Sequence, residues 1–285
     1  MSKITFDSLA VKKRSNTPIV MLTAYDYPMA DIIDKSGVDI VLVGDSLANV
    51  ALGLESTTSV GMKEMLHHAK AVRRAIKRSI LIGDMPYSSY QVDCEAALNN
   101  AKSFIKEAGC DGVKFEWFGD CPKVVEEVVK TGIPVMGHIG LTPQTAQKKG
   151  GFKVQGKDAD AARNLIDSAL LLQELGVFSI VLECVPDTLA QMITEKLRIP
   201  TIGIGAGPWC DGQVLVTNDL IGFSQGFKPK FVKQYIDLTN NIRGAVQQFC
   251  QEVADRKFPS NEHSYIMSDD ELGKLKAQLS ENQAT

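Results

Sequence analysis

The sequence predicts an α/β fold of the (β/α)8 TIM barrel class, built as a single domain with an N-terminal helix and a polar C-terminal extension. Short apolar runs recur along the chain and end in turn residues, which is typical of strands buried on both faces. Helical patterns separate these runs, so the strands are expected to be parallel with right-handed crossovers. The length of 285 residues suits one barrel with additions.

Seven apolar runs predict strands, and an eighth run is weaker. The seven are residues 18–26, 39–46, 80–86, 112–117, 134–140, 179–186 and 200–207, and the weak candidate is 214–222. An open doubly wound sheet is the competing arrangement, and it usually carries a glycine-rich phosphate turn after its first strand. The corresponding turn here, AYDYP at 24–28, has no glycine. The pattern therefore favours the closed barrel.

Residues at helical spacing fill the intervals between the predicted strands. The predicted helices are 5–14, 28–36, 62–77, 93–108, 122–130, 158–175, 186–197 and 231–257. Asp93 is a good N-cap, and Gly37 suits the left-handed position after a helix. The first helix precedes the first strand, so it is expected to plug one end of the barrel.

The predicted domain organisation is a catalytic barrel over residues 1–263 and a polar tail over residues 264–285. Ser268 and Glu271 have the spacing of a capping box, which predicts a short helix in the tail. We assign this tail no function.

Composition excludes several classes of function. The net charge of −3 and the pI near 5.9 give no basic surface for nucleic acid. No apolar run approaches the roughly 18 residues that span a bilayer, and the first residues contain no apolar signal core. We therefore expect a cytoplasmic protein without nucleic-acid or membrane partners. The six cysteines form no CxxC pair, so reduced thiols are expected rather than disulfides or a zinc site.

Ionisable side chains lie at or near the ends of five predicted strands. They are Asp45, Asp84, Lys114 with Glu116, His138 and Glu183. Catalytic residues of (β/α)8 barrels lie at the C-terminal ends of several strands. We therefore expect these side chains to converge on one candidate active site.

Asp45 and Asp84 each follow an apolar run and a glycine on consecutive predicted strands. Two carboxylates about 4 Å apart repel by roughly 4 kcal/mol at an effective dielectric constant near 20, and a divalent cation between them removes this repulsion. Oxygen ligands without thiolates or paired histidines favour Mg²⁺ over Zn²⁺. The alternative is that either acid caps the loop or helix that follows it.

Lys114 and Glu116 alternate with Val113, Phe115 and Trp117. Because side chains alternate between the faces of a strand, the charged pair is expected inside the barrel and the apolar residues under the helices. Three interpretations remain open. The pair is a self-contained ion pair, or Lys114 binds an anionic substrate while Glu116 supports the metal, or Lys114 forms a Schiff base.

Glu183 lies in a largely apolar stretch, and burial raises the pKa of a carboxyl group and makes it a better base. It is the candidate for proton abstraction, unless it only binds the first amides of the next helix. His138 is either a second acid or base or a core histidine. Ser46 either donates a hydrogen bond to a substrate carboxylate or simply begins a loop.

Six motifs in this order resemble the ketopantoate hydroxymethyltransferase family over about residues 4–263. They are VGDS at 43–46, GDMPYSSY at 83–90, GVKFE at 112–116, GHIGLTPQ at 137–144, LECVP at 182–186 and IGIGAGPxCDGQVLV at 202–216. The resemblance implies transfer of a hydroxymethyl group from 5,10-methylenetetrahydrofolate to 3-methyl-2-oxobutanoate, which gives 2-dehydropantoate in pantothenate synthesis. It also implies a homo-oligomer, a decamer in this family.

The resemblance implies roles for the same side chains that the strand pattern selected. Asp45 and Asp84 would bind Mg²⁺ with Glu116 adjacent to the ion, and Glu183 would accept the proton. The residues expected to contact the 2-oxo acid are Ser46, Asp45, Asp84 and Lys114. Two other functions stay open at this point: a Mg²⁺-dependent lyase or decarboxylase of another 2-oxo acid, and a barrel that binds a metabolite without turnover.

Overall fold

The structure is a computed structural model and describes residues 2–91, 93–146, 153–224 and 228–281. Its contacts divide the chain into two compact units, Met1–Ile236 and Asp237–Thr285. The first unit contains the barrel strands and the second contains the last two long helices. This division does not test where the catalytic domain ends, so its end at residue 263 stays a prediction.

Eight parallel strands form the closed barrel that the sequence predicts. They are β1 (Ile19–Thr23), β2 (Ile40–Val43), β3 (Ile80–Asp84), β4 (Gly112–Glu116), β5 (Val135–Gly140), β6 (Ser179–Glu183), β7 (Thr201–Ile204) and β8 (Gly212–Leu215). Each strand pairs with the next, and β8 pairs with β1 to close the ring, with Val214 opposite Met21. The open doubly wound alternative is therefore wrong.

Helices follow the strands as expected. In the first unit they are α1 (Phe6–Arg14), α2 (Tyr27–Lys35), α3 (Leu47–Val50), α4 (Met62–Ala75), α5 (Cys94–Lys106), α6 (Cys121–Lys130), α7 (Pro143–Ala146), α8 (Ala159–Glu174), α9 (Asp187–Lys196) and α10 (Thr217–Leu220). Three aspartates begin long helices by accepting a backbone N–H: Asp26 from Met29, Asp93 from Ala96 and Asp158 from Ala161. Gly37 has φ +90° after α2, the left-handed conformation that glycine adopts most easily.

The apolar side chains form two separate clusters, one inside the barrel and one between the strands and the helices. Ile19, Met21 and Ile82 belong to the inner cluster, and Ile4 and Leu9 from the N-terminal segment pack into it. The expected plug is therefore confirmed. The outer cluster includes Val113 and Phe115 of β4, as the alternation along that strand predicts.

A buried carboxylate joins α2 to the start of β3 at the end of the barrel that holds the plug. Asp34 accepts hydrogen bonds from the backbone N–H groups of Lys77, Arg78 and Ser79, at 2.8 to 3.2 Å. Burial by itself would raise the pKa of Asp34, but these N–H groups hold it below the usual 3.8. This link is structural and lies away from the ends of the strands that carry the predicted site.

The structure corrects two predicted elements near the end of the barrel. The weak strand candidate at 214–222 is β8 at Gly212–Leu215, followed by the short helix α10. A side chain at Gly212 would meet the carbonyl oxygen and Cβ of Ile19, so the close pairing of β8 with β1 requires glycine there. The helix predicted from residue 231 begins at Leu238, where Asp237 accepts the backbone N–H of Asn240 as an N-cap.

The second unit contains the helices α11 (Leu238–Ala254) and α12 (Asp269–Glu281). The predicted start of the tail helix is confirmed, since the Ser268 hydroxyl accepts the backbone N–H of Glu271 at 3.4 Å. None of the described residues of this unit is buried. Helical spacing puts four apolar residues of α11 on one face, 40 to 54% exposed: Ile242, Val246, Phe249 and Val253.

Candidate active site

The ionisable residues predicted to converge lie together at the C-terminal ends of β2 to β6. Asp84, Glu116 and Glu183 are the last residues of β3, β4 and β6. Asp45 follows β2, Lys114 lies within β4, and His138 lies opposite Glu116 on β5. Asp45, Asp84, Lys114, Glu116 and His138 are all buried, and Glu183 is partly exposed. Because the strands are parallel neighbours, residues distant in sequence share one small volume.

Lys114 and Asp84 form the central ion pair of this volume. The Lys114 ammonium donates to both Asp84 carboxylate oxygens at 2.8 and 2.9 Å. Burial by itself would lower the pKa of Lys114, but the carboxylates of Asp84, Glu116 and Asp45 raise it above its usual value. Burial raises the pKa of Asp84 to about 6, with Lys114 opposing the shift and Asp45 adding to it.

Asp45 adjoins this pair, since its backbone N–H donates to an Asp84 carboxylate oxygen at 3.3 Å. Glu116 is buried beside them, and burial followed by the charge of Asp45 raises its pKa well above the usual value. Burial is the main reason that ionising this carboxyl group is unfavourable, and the negative charge of Asp45 adds to it. Three buried carboxyl groups here face the single ammonium of Lys114.

His138 lies between two acids and is not an isolated core histidine. Its Nε2 is 3.2 Å from Glu183 Oε2, and its Nδ1 is 3.6 Å from Glu116 Oε1. Neither nitrogen makes a regular hydrogen bond to these oxygens. Burial lowers the pKa of His138, which favours the neutral ring. The histidine therefore links the candidate base to the buried acid on β4.

The backbone around Glu183 is shaped by two residues with positive φ. Gly140, at the end of β5, has φ +96°, and a side chain there would meet the carbonyl oxygen of Glu183. That carbonyl accepts the N–H of Leu141 at 2.8 Å. Cys184 has φ +49°, an uncommon conformation for a residue other than glycine. The ends of β5 and β6 are thus held close together where Glu183 emerges.

Ser46 lies at the rim next to Asp45. Its hydroxyl is 2.8 Å from the Tyr25 hydroxyl, and burial raises the pKa of Tyr25. Ser46 precedes α3 but makes no side-chain capping bond to that helix. Its hydroxyl therefore belongs to the polar rim of the site.

Two polar residues of the site were missed in the sequence analysis. Gln144 donates through Nε2 to Asp45 Oδ2 at 2.8 Å, and its backbone N–H donates to Glu116 Oε2 at 3.2 Å. The Tyr90 hydroxyl donates to Gln144 Oε1. Tyr90 lies in a turn and Gln144 in the four-residue helix α7, and both segments are too short for apolar periodicity to select a position. The only signal was their place in the motifs at 83–90 and 137–144.

The donor set fits a hard divalent cation. Among the described residues no three His, Cys, Asp or Glu side chains are arranged as a ready-made metal cluster. Mg²⁺, however, usually takes one or two protein carboxylates and completes its shell with waters and substrate. Asp45 and Asp84 supply carboxylate oxygens of this kind. The site has more carboxyl groups than ammonium groups, so it also supplies negative charge that attracts a cation.

All six cysteines are free thiols, as expected.

No helix in the described parts of the chain has the length and apolar character needed to cross a bilayer.

The fold matches solved structures at low sequence identity. A phosphonopyruvate hydrolase in complex with oxalate and Mg²⁺ matches with a TM-score of 0.59 at 11% identity, covering 99% of this chain and 98% of that one. A 2,3-dimethylmalate lyase matches with a TM-score of 0.57 at 11% identity, with 98% of both chains covered. These similarities support the barrel fold.

Other proteins are similar to this chain in sequence as well as in fold. Residues 3–261 match the profile of the family described as ketopantoate hydroxymethyltransferase. The 3-methyl-2-oxobutanoate hydroxymethyltransferase of Syntrophomonas wolfei is 48% identical over 96% of this chain and all of its own length. That of Syntrophus aciditrophicus is 51% identical over 93% of this chain and 97% of its own. The chain therefore belongs to the ketopantoate hydroxymethyltransferase family of enzymes.

Proposed function

We propose that this enzyme transfers a hydroxymethyl group from 5,10-methylenetetrahydrofolate to 3-methyl-2-oxobutanoate and so forms 2-dehydropantoate for pantothenate synthesis. The relatives that carry this substrate in their names support the 2-oxo acid. The observation that carries the chemistry is the group formed by Asp45, Asp84, Lys114 and Glu116, with the partly exposed Glu183 beside it. This group joins a cation site, an ammonium and a base.

The 2-oxo acid is an anion, and Lys114 is the cationic side chain of this group. Its raised pKa keeps the ammonium protonated at neutral pH, so it attracts a carboxylate or a developing oxyanion. Ser46 adds a hydroxyl at the rim, 2.8 Å from that of Tyr25, and it would donate a hydrogen bond to the substrate carboxylate. Asp45 and Asp84 would also contact the substrate, next to the cation that they would hold.

Asp45 and Asp84 would hold Mg²⁺, and Glu116 would lie next to it. When bound, Mg²⁺ supplies positive charge that stabilises the negative charge developing on the keto oxygen. It also relieves the repulsion among Asp45, Asp84 and Glu116. The buried position of all three carboxyl groups strengthens both effects, because water screens the charges less.

Glu183 is the base of the proposed reaction. Its side chain is 16% exposed, whereas that of Glu116 is 2% exposed. Glu183 therefore faces the opening through which a substrate arrives. It removes the proton from C3 of the oxo acid, and His138 lies beside it, with Nε2 3.2 Å from Glu183 Oε2.

The carbon–carbon bond forms between C3 and the one-carbon unit of the folate. The electron pair left on C3 by proton removal makes the new bond, and both bonds from the methylene carbon to the folate nitrogens N5 and N10 break. The C–C bond replaces one of them, and a bond to the oxygen of water replaces the other. The proton taken from C3 and the second proton of that water end on the two nitrogens. One water supplies the hydroxyl group of the product. The products are 2-dehydropantoate and tetrahydrofolate, so atoms and electrons balance.

The test measures two activities of the purified enzyme with and without Mg²⁺ and with and without the folate. Exchange of the C3 proton of 3-methyl-2-oxobutanoate in deuterated water should require Mg²⁺ and proceed without folate. Formation of 2-dehydropantoate should require both. Turnover of another 2-oxo acid without folate would favour a lyase or decarboxylase instead, and binding without exchange would leave a protein that only holds a metabolite.

We further propose that the enzyme is a homo-oligomer, with the decamer of its family as the expected state. The support is the apolar face of α11, which carries Ile242, Val246, Phe249 and Val253 at high exposure in the single chain. Light scattering of the wild type should give a multiple of the chain mass of 31.0 kDa. Val246→Asp should reduce that mass, and a monomeric wild type would contradict the proposal. A cytoplasmic location stays a prediction.

A further inference from the structure

We propose that Gln144 and Tyr90 form a positioning pair that sets the orientation of the Asp45 carboxylate for Mg²⁺. This inference rests on the proposed function, since it concerns how the chain prepares the cation site. Neither residue is assigned to the metal, the substrate or the proton transfer. Both are buried. Their hydrogen bonds connect the turn that contains Tyr90, after β3, and the short helix α7, after β5, to the acid that follows β2.

The orientation of the Gln144 amide is fixed by its partners. Nε2 lies 3.1 Å from the carbonyl oxygen of Met85, which only accepts hydrogen bonds, so the NH₂ group must face it. The second hydrogen of the same NH₂ group goes to Asp45 Oδ2. Oε1 then accepts from the Tyr90 hydroxyl. The flipped amide would present an oxygen to both Met85 and Asp45, and both contacts would be repulsive.

Tyr90 is itself held in place by aromatic contacts. Its ring meets that of Phe115 edge-on, with centroids 5.2 Å apart, and that of Phe118 at 5.3 Å. Phe115 belongs to β4, between Lys114 and Glu116. These contacts hold the ring rigidly, so the hydroxyl keeps its position next to Gln144. Packing on the outer face of β4 thus helps to orient the acid that follows β2.

One carboxylate oxygen of Asp45 is therefore already hydrogen-bonded within the protein. Nε2 of Gln144 holds Oδ2, and this contact fixes the direction in which Oδ1 points. The backbone N–H of the same residue holds Glu116 Oε2, so Gln144 touches two acids of the proposed cation site. Partners of this kind, which bind a metal ligand but not the metal, strongly affect metal affinity.

The experiment titrates Mg²⁺ into the wild type, Gln144→Met, Tyr90→Phe and the double variant by calorimetry. Gln144→Met should raise the Mg²⁺ dissociation constant about 10-fold or more. Tyr90→Phe should raise it about 3- to 10-fold, as expected for one lost hydrogen bond. In the Gln144→Met background, Tyr90→Phe should have no further effect, because the hydroxyl acts through the amide.

Steady-state kinetics supply the second measurement. The Mg²⁺ concentration for half-maximal turnover should rise in both single variants, while kcat at saturating Mg²⁺ should fall much less. Tyr27→Phe is the matched control, because Tyr27 is half-exposed in the first turn of α2. Thermal unfolding checks that each variant folds. Tyr90→Phe removes one oxygen atom, so it carries the test if Gln144→Met does not fold.

Three outcomes decide the matter. Wild-type Mg²⁺ affinity in a folded Tyr90→Phe variant would overturn the inference. So would effects of the two substitutions that simply add. A wild-type enzyme that binds no Mg²⁺ and turns over without it would instead contradict the proposed function itself, and the two failures are therefore distinguishable.

Discussion

The Lys114 ammonium lies 2.8 Å from one carboxylate oxygen of Asp84 and 2.9 Å from the other. This is a lysine held in its charged form, since the surrounding carboxylates raise its pKa above the usual value against the effect of burial. Attack on a carbonyl carbon requires a neutral amine. The geometry therefore favours a lysine that binds anions over one that forms a covalent intermediate.

Borohydride treatment in the presence of 3-methyl-2-oxobutanoate should accordingly leave the enzyme active. A Schiff base on Lys114 would be reduced to a stable amine, which mass spectrometry would detect on the peptide that contains β4. The control is Lys114→Met, which should lose most substrate affinity and give the same negative result. A mass increase of one substrate on Lys114 would reverse the assignment.

Glu183→Gln should abolish exchange of the C3 proton with solvent deuterium and lower kcat by about 100-fold or more, because the amide does not accept a proton as a base. Binding of the 2-oxo acid, measured by calorimetry, should stay within about threefold of the wild type. Glu126→Gln, half-exposed on α6, is the matched control. Undiminished exchange in Glu183→Gln would remove this residue from the role of base.

Gly140→Ala should impair both stability and activity, whereas Gly132→Ala should affect only stability. Both glycines have positive φ, +96° and +81°, so a side chain strains each by roughly 1 kcal/mol. At Gly132 the new methyl group meets no atom within 4 Å, but at Gly140 it meets the Glu183 carbonyl. We expect kcat to fall about 10-fold or more in Gly140→Ala alone. Equal kcat values in the two variants would contradict this coupling.

Asp34→Asn should lower the free energy of unfolding at pH 7 by about 2 kcal/mol, because an amide replaces a buried carboxylate bonded to three N–H groups. The folded-state pKa of Asp34 lies below the 3.8 of an ordinary aspartate. Its stabilisation is therefore complete above that value and is lost as the pH falls through the lowered pKa. Urea unfolding between pH 7 and pH 3 should show the two proteins converging at the acid end.

The control for this experiment is Asp31→Asn, which removes an exposed pair with Lys35 on the same helix. Its effect should stay within about 0.5 kcal/mol. A difference between Asp34→Asn and the wild type that persists unchanged at low pH would show that the carboxylate charge is not the source of the stabilisation.

The barrel was predictable because its strands are buried on both faces. Apolar runs such as those around Ile40 and Ile80 have no polar face that could be exposed to solvent. Gly37 ends the helix pattern of α2 at a definite point before the first of these runs. The predicted bounds of β8 were wrong because the sequence pattern of this strand is short. Gly212 begins β8 through a close backbone contact with Ile19, and a glycine without apolar neighbours carries no periodicity.

The position of the candidate site was predictable for the same reason. Parallel strands bring Asp84 and Lys114 to the same edge, and alternation along β4 sends Lys114 inward. Contacts made by the short segments after the strands were not predictable. The bond from Gln144 in α7 to Asp45 joins positions far apart in the chain, and it depends on the path of the segments that follow β5 and β2. His138 acquires its two acid neighbours only when β4, β5 and β6 are aligned.

The plug formed by Ile4 and Leu9 has a kinetic consequence. These side chains fill the interior at the end of the barrel where the strands begin. Molecules that bind at the candidate site therefore enter and leave through the opposite mouth, past the segments that follow the strands. In the proposed reaction two substrates and two products would share this passage, which favours sequential binding and ordered release. Product inhibition patterns should then distinguish the molecule that binds first from the one that leaves first.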